Sequence, residues 1–179
     1  MKKITLSLVI LAFFGVAQAA NIYVDTTLGG NITNGTYSAV NRNDSGSDGN
    51  AYTTIQAAIS AASMGDVVLM RGGEYDCSLS GEDEISISGK DGNSWEEGHY
   101  FTLASYPGEW AILDGKRNTT NGVVLHGGFP AYGSDLNSHY WKFERFEVKG
   151  GGFTSGDSTC SGIWLNVGPF IFRYLYIHD

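Results

Sequence analysis

Apolar and polar residues alternate along this chain in short runs, each bounded by Gly, Asn, Asp or Pro. A period of two is the signature of a half-buried strand. It predicts strands at 21–25, 67–70, 100–105, 110–113, 122–125, 140–143, 146–148, 163–166, 170–172 and 175–177. One segment follows a helical period instead: Ile55, Ala58, Ile59 and Ala62 fall at i, i+3, i+4 and i+7 and form one apolar stripe over 54–64. Thr53 with Gln56 fits a capping box, and Gly65 fits the left-handed position past the helix end. The segments 26–50 and 77–98 are polar and Gly-rich and read as loops, the second projecting from the strands. Asp44, Asp48 and Gly49 follow a calcium-loop-like order, but Ile55 stands where that motif needs Glu, which favours a plain turn.

The strand patterns repeat. Gly122-Val123-Val124-Leu125 returns 40 positions on as Gly162-Ile163-Trp164-Leu165. Trp141 to Val148 returns 29 positions on as Phe170 to Ile177, and His99-Tyr100 with Leu103 and Tyr106 anticipates His139-Tyr140 with Phe143 and Phe146, again by 40. Repeats of this length mean stacked units that cannot bury their apolar faces alone. Alternation places Val123, Leu125, Trp141, Phe143, Phe146, Val148, Ile163, Leu165, Phe170, Phe172, Leu175 and Ile177 inward. Two residues intervene between Phe143 and Phe146, so a corner joins two short strands there. Strand, corner, strand and return is the layout of an all-β right-handed parallel β-helix, a solenoid. Its coils stack at ~4.8 Å, and the helix at about 53–65 caps the open apolar end. The chain ends on a strand without cover, which predicts the front part of a longer protein and an incomplete stack.

Composition narrows the setting. Met1-Lys2-Lys3, an apolar run to Val16 and Ala17-Gln18-Ala19 read as a secretory signal peptide over 1–19, leaving 20–179 as one domain. The run is too short to span a bilayer, so secretion without a membrane anchor is expected. The formal charge of −8 without a basic cluster disfavours nucleic acid as a partner. Cys77 and Cys160, in an exported chain, allow one disulfide or two free thiols.

Three stretches together carry a resemblance: Thr53-Thr54-Ile55-Gln56-Ala57-Ala58-Ile59, Met64-Gly65-Asp66-Val67-Val68 and Arg71-Gly72-Gly73-Glu74-Tyr75. They resemble the N-terminal cap and first coil of exported, pectate-lyase-like right-handed parallel β-helix proteins. Tyr106-Pro107-Gly108-Glu109, Ile112-Leu113-Asp114-Gly115, Phe146-Glu147-Val148 and Tyr176-Ile177-His178-Asp179 are similar to the following coils. The resemblance implies a protein acting on an acidic polysaccharide such as pectate or alginate, most simply a lyase working by β-elimination with calcium as a candidate cofactor. A non-catalytic surface or adhesin-type β-helix and a carbohydrate-binding module are the alternatives. A monomer is expected of the full-length protein.

Candidate chemistry within these residues is sparse. No carboxylate group with a lone Lys falls on one outward face in the strand pattern, so the catalytic residues are expected after Asp179. Trp164 alternates outward beside Asn166, and these two are the candidate sugar-binding residues, because an indole face stacks on a pyranose ring. A position under a covering loop explains an outward Trp equally well. Trp95 is a weaker candidate of the same kind. Asp179, beside His178, is a candidate metal ligand.

Overall fold

A computed structural model describes residues 19–82, 84–119, 122–127, 137–152, 161–166 and 168–178. The elements in order are β1 (Asn21–Val24), β2 (Asn50–Tyr52), α1 (Ile55–Ala61), β3 (Val67–Met70), β4 (Gly73–Asp76), β5 (Ile85–Ser86), β6 (Phe101–Ser105), β7 (Ala111–Asp114), β8 (Val123–Gly127), β9 (Trp141–Glu144), β10 (Phe146–Lys149), β11 (Ser161–Leu165), β12 (Phe170–Arg173) and β13 (Tyr176–His178). They build three stacked parallel sheets with one short helix. The sheet orders are β12-β9-β6-β3-β1-β2, β13-β10-β7-β4 and β11-β8-β5. From β3 onward, consecutive strands step through the three sheets in a constant order, and from β6 onward each strand pairs with the one a full circuit earlier.

Register follows the sequence repeats at two of three places. Phe170 pairs with Trp141 and Phe172 with Phe143, while Val148 pairs with Ile177, all at the offset of 29. Phe101 pairs with Trp141 and Leu103 with Phe143, at 40. The 122–125 repeat is displaced: Ile163 pairs with Leu125 and Trp164 with His126, an offset of 38. A slip of two residues leaves every side chain on its original face, so the inward and outward assignments survive. Phe146 pairs with Ala111, and Tyr106 instead joins a second cluster outside the first sheet.

The interior is one apolar ladder. Trp141 and Phe143, both fully buried, stack at 5.8 Å, with Phe101 at 4.9 Å from Trp141 and Phe172 at 5.3 Å from Phe143. Leu113, Phe146 and Val148 extend it across the second sheet, and Ile85 and Leu125 across the third. Phe170 and Leu175 pack on this core half-buried, and Phe172 and Ile177 are exposed. The break in alternation after Phe143 is a single left-handed residue, Arg145, at φ 59°, and Tyr174 repeats it one coil on at φ 54°. The two corners stack, Arg145 N–H donating to Arg173 C=O at 3.0 Å.

The helix begins one residue later than the capping box suggests and is shorter. Thr54 is the N-cap, its Oγ1 accepting from Ala57 N–H at 3.2 Å, and the helix ends at Ala61. Gln56 is thereby released for another task. Ser86 N–H donates to its Oε1 at 2.8 Å, and its Nε2 donates to Ser86 C=O at 3.2 Å. Glu82 Oε2 accepts from Ile55 N–H at 2.8 Å and from Gln56 N–H at 3.2 Å. Burial raises the Glu82 carboxyl, against the lowering effect of these two bonds. Lys90 Nζ donates to Ser60 C=O and Ala62 C=O, both at 2.7 Å. The segment after Tyr75 therefore does not project. Cys77, Ser78, Ile85 and Ile87 are buried, and the segment clasps both ends of α1. A polar, Gly-rich composition hid this because its contacts are side-chain bonds to backbone, without a hydrophobic period.

The 26–50 segment also covers something. Tyr37 and Ala39 pack with Tyr23, Ala51, Leu69 and Ala104 on the outer side of the first sheet, so this sheet is buried on both faces. A buried ionic network holds the cover. Asp25 accepts from Arg42 Nε at 2.9 Å and from Tyr37 Oη at 2.7 Å, while Arg71 donates to Tyr37 Oη, to Ala39 C=O and to Glu109. Burial and the bond to Asp25 push the Tyr37 phenol up to about 12. Within the cover Asp48 Oδ2 accepts from Ala39 N–H at 2.8 Å, a turn-forming bond.

Candidate functional site

The third sheet, β5-β8-β11, brings the candidate sugar-binding residues together with groups the sequence pattern did not single out. Ile85, Leu125 and Ile163 lie in register and pack on the core. The next positions, Ser86, His126 and Trp164, therefore share the opposite, outward side. Trp164 is 37% exposed, and its Nε1 donates to Asn166 Oδ1 at 2.7 Å. That bond fixes the orientation of the indole. Asn166 N–H in turn donates to Gly127 C=O at 3.2 Å.

Beside Trp164 in register, His126 is buried, with its Nε2 3.6 Å from Glu84 Oε1. A carboxylate beside an imidazole is a pairing that general acid–base chemistry uses. Sequence reading missed this pair because Glu84, just before β5, and His126, on β8, lie more than 40 residues apart and share no periodicity. Two close approaches shape the neighbourhood: a side chain on Gly127 would meet Ile87 Cγ1 at 2.7 Å, and one on Gly162 would meet Ile177 Cγ2 at 2.8 Å. Both glycines leave room for the core between coils.

The second sheet carries a different outward face. Register aligns Asp76, Asp114, Lys149 and His178 in one column, and Glu74, Ile112, Glu147 and Tyr176 in the next. Carboxylates and lysines thus do meet on one outward face, contrary to the expectation from the strand pattern. They are paired with each other. Lys149 Nζ lies 3.2 Å from Glu74 Oε2 and 3.3 Å from Asp114 Oδ2, and Lys116 Nζ lies 2.7 Å from Asp76 Oδ2. The Lys116 bond, helped by Ser78, draws Asp76 down to about 2, and Glu74 and Asp114 raise Lys149. A lysine held protonated in this way is a poor proton acceptor at neutral pH. Glu147 accepts from Trp110 Nε1 at 3.4 Å and lies 3.0 Å from His178 Nε2, on β13.

Other candidates fall elsewhere. Trp95 packs edge-on against Tyr140 at 5.2 Å and near Tyr100 at 5.7 Å. Cys77 is a fully buried free thiol, and burial raises it well above the usual range. Cys160 and Asp179 lie outside the described residues, as does the 1–18 segment. Among the described residues, no three His, Cys, Asp or Glu side chains converge as a metal site, and no helix is long and apolar enough to cross a membrane. No family model, curated protein or solved structure matches this chain.

Proposed function

We propose that the chain forms the N-terminal cap and first coils of a secreted right-handed parallel β-helix protein that acts on an acidic polysaccharide, as a lyase. The reading of the fold is supported by the constant order in which strands step through three parallel sheets. The functional reading rests on one observation above all. An exposed, oriented indole, Trp164 on Asn166, stands in register with a buried imidazole–carboxylate pair on the same outward face. The indole supplies a stacking surface for a sugar ring, and Asn166, Ser86 and His126 are polar groups of the kind that read hydroxyls and carboxylates.

In β-elimination a base removes the proton α to the uronate carboxylate, and the carbon–oxygen bond at the neighbouring carbon then breaks. An unsaturated sugar and a new hydroxyl result. Within this chain Trp164 positions the ring, and further residues of the full-length protein supply the base and any calcium. A carbohydrate-binding module without catalysis is the second reading, favoured by the pairing of the second sheet's lysines with carboxylates.

The test uses the full-length protein with pectate, alginate and glycosaminoglycan, with and without calcium, following the ultraviolet absorbance of the unsaturated product. Product formation that drops about tenfold in Trp164→Ala is expected, the loss of one aromatic stacking contact. No product on any uronate polymer removes the lyase reading. Gel retardation on the same polymers, abolished by Trp164→Ala, would then support the binding module.

A further inference from the structure

The leader motif and the first strand meet at one nitrogen. Ala17-Gln18-Ala19 is the small-residue pattern of a leader cleavage site, which puts the scissile bond between Ala19 and Ala20. The fold places the nitrogen of Ala20 2.9 Å from Asp66 Oδ1. That position is held on both sides: Val67 N–H donates to Ala20 C=O at 3.0 Å, and Asp66 C=O accepts from Thr102 N–H at 3.2 Å. Asp66 is itself buried, and its Oδ2 accepts from Ser63 N–H at 2.8 Å.

We propose that removal of the leader completes this contact: the freed α-ammonium of Ala20 forms an ion pair with Asp66 that locks the first strand beside the helix end. The inference rests on the export reading above. The step is hydrolysis by a peptidase of the export machinery. Water attacks the Ala19 carbonyl and the carbon–nitrogen bond breaks. Ala19 leaves as a carboxylate and Ala20 keeps the amine, which is protonated at neutral pH. Before cleavage Asp66 faces a neutral amide; after it, a full positive charge at the same distance. A charge-assisted bond is about twice as strong as a neutral one.

Other charged groups lie around Asp66 and the neighbouring groove. Lys90, from the segment clasping α1, interacts with Asp66 while burial lowers it. Glu97, Lys142, Glu144 and Arg145 line the groove of about 170 Å³ that Ala19 borders. An α-amino group titrates at about 7.7–8.0 when free, and the carboxylate raises it in the folded chain. The stabilisation is therefore complete below about pH 7.7 and is lost as pH rises through the folded value.

The full-length protein is expressed with its leader in an exporting host and its N-terminus is sequenced. Ala20 is the expected first residue. An exported protein that begins elsewhere overturns the inference alone, and a chain retained with Met1 overturns the export reading with it. Melting from about pH 6 to about pH 10 then compares the mature protein with Asp66→Asn and with a chain bearing two extra glycines before Ala20. The second variant keeps Asp66 and Lys90 and only moves the ammonium away. The mature protein is expected to lose about 2–4 °C more than either variant across this range. Equal losses in all three overturn the ion pair.

Discussion

Gln56 completes the edge of the third sheet by pairing its side-chain amide with the backbone of Ser86, one bond in each direction. Among the described residues, strand β5 has β8 on one side and no strand on the other. An unpaired strand edge invites association with another chain, and here one amide of a helix supplies both the donor and the acceptor. Gln56→Ala is expected to cost about 1–3 kcal/mol in denaturant unfolding. Gln56→Glu is expected to be as damaging, since a carboxylate accepts from Ser86 N–H but opposes its C=O. A Glu variant of unchanged stability would show that the amide pairing contributes nothing.

Trp141 anchors the aromatic ladder from its centre. It is fully buried between Phe101 and Phe143, and its Nε1 donates to Lys90 C=O at 2.8 Å. Trp141→Ala is expected to lose about 3–5 kcal/mol. Trp141→Phe keeps the stack and loses chiefly the indole bond, at about 1 kcal/mol. Calorimetric or chemical melting of the two variants checks the order.

Acid sensitivity is expected from Asp25. Burial pushes this carboxyl up, but bonds from Arg42, Thr27 and Tyr37 win and hold it well below the usual carboxylate range. Its contribution is thus fully present above about pH 4, the unfolded value, and is lost as pH falls through the folded one. Asp25→Asn should lower stability at neutral pH and flatten the acid limb of the stability curve. An acid limb identical to that of the parent protein would count against this role.

Cys77 is expected to resist thiol reagents while the protein is folded. Its thiol is fully buried and its pKa is raised, first by desolvation and then by the acidic side chains of Glu82, Asp76 and Asp114. The thiolate is the reactive form, so burial and charge act in the same direction. Labelling should appear only as the protein unfolds, followed by mass spectrometry; rapid native labelling at Cys77 would refute it.

The strands were legible because their signal is local: a period of two needs only neighbouring residues. Trp141, Phe143 and Val148 could be paired with Phe170, Phe172 and Ile177 because aromatic and β-branched residues recur at matching steps. The 122–125 repeat misled by two positions, since Gly and aliphatic residues fit either register and both preserve the buried face. What stayed hidden depends on distant polar partners. Glu84 with His126, Gln56 with Ser86 and Arg71 with Glu109 each join segments that share no periodicity, and only the closed circuit of three sheets brings them together. The outward column of Asp76, Asp114 and Lys149 was hidden for the same reason, as β4 begins at Gly73 within a stretch that reads as a turn.

The clasp around α1 also orders events in time. Every strand from β6 onward finds its pairing partner in a segment synthesised before it, so each new circuit condenses on a finished surface. The starting surface is different, because α1 and β5 require Glu82, Ser86 and Lys90 to arrive before the lid can be held at both ends. Residues 20–90 are therefore expected to act as the seed, and the remainder as growth. A substitution in that seed should slow folding of the whole chain, whereas the same loss of stability at β13 should mainly speed its unravelling.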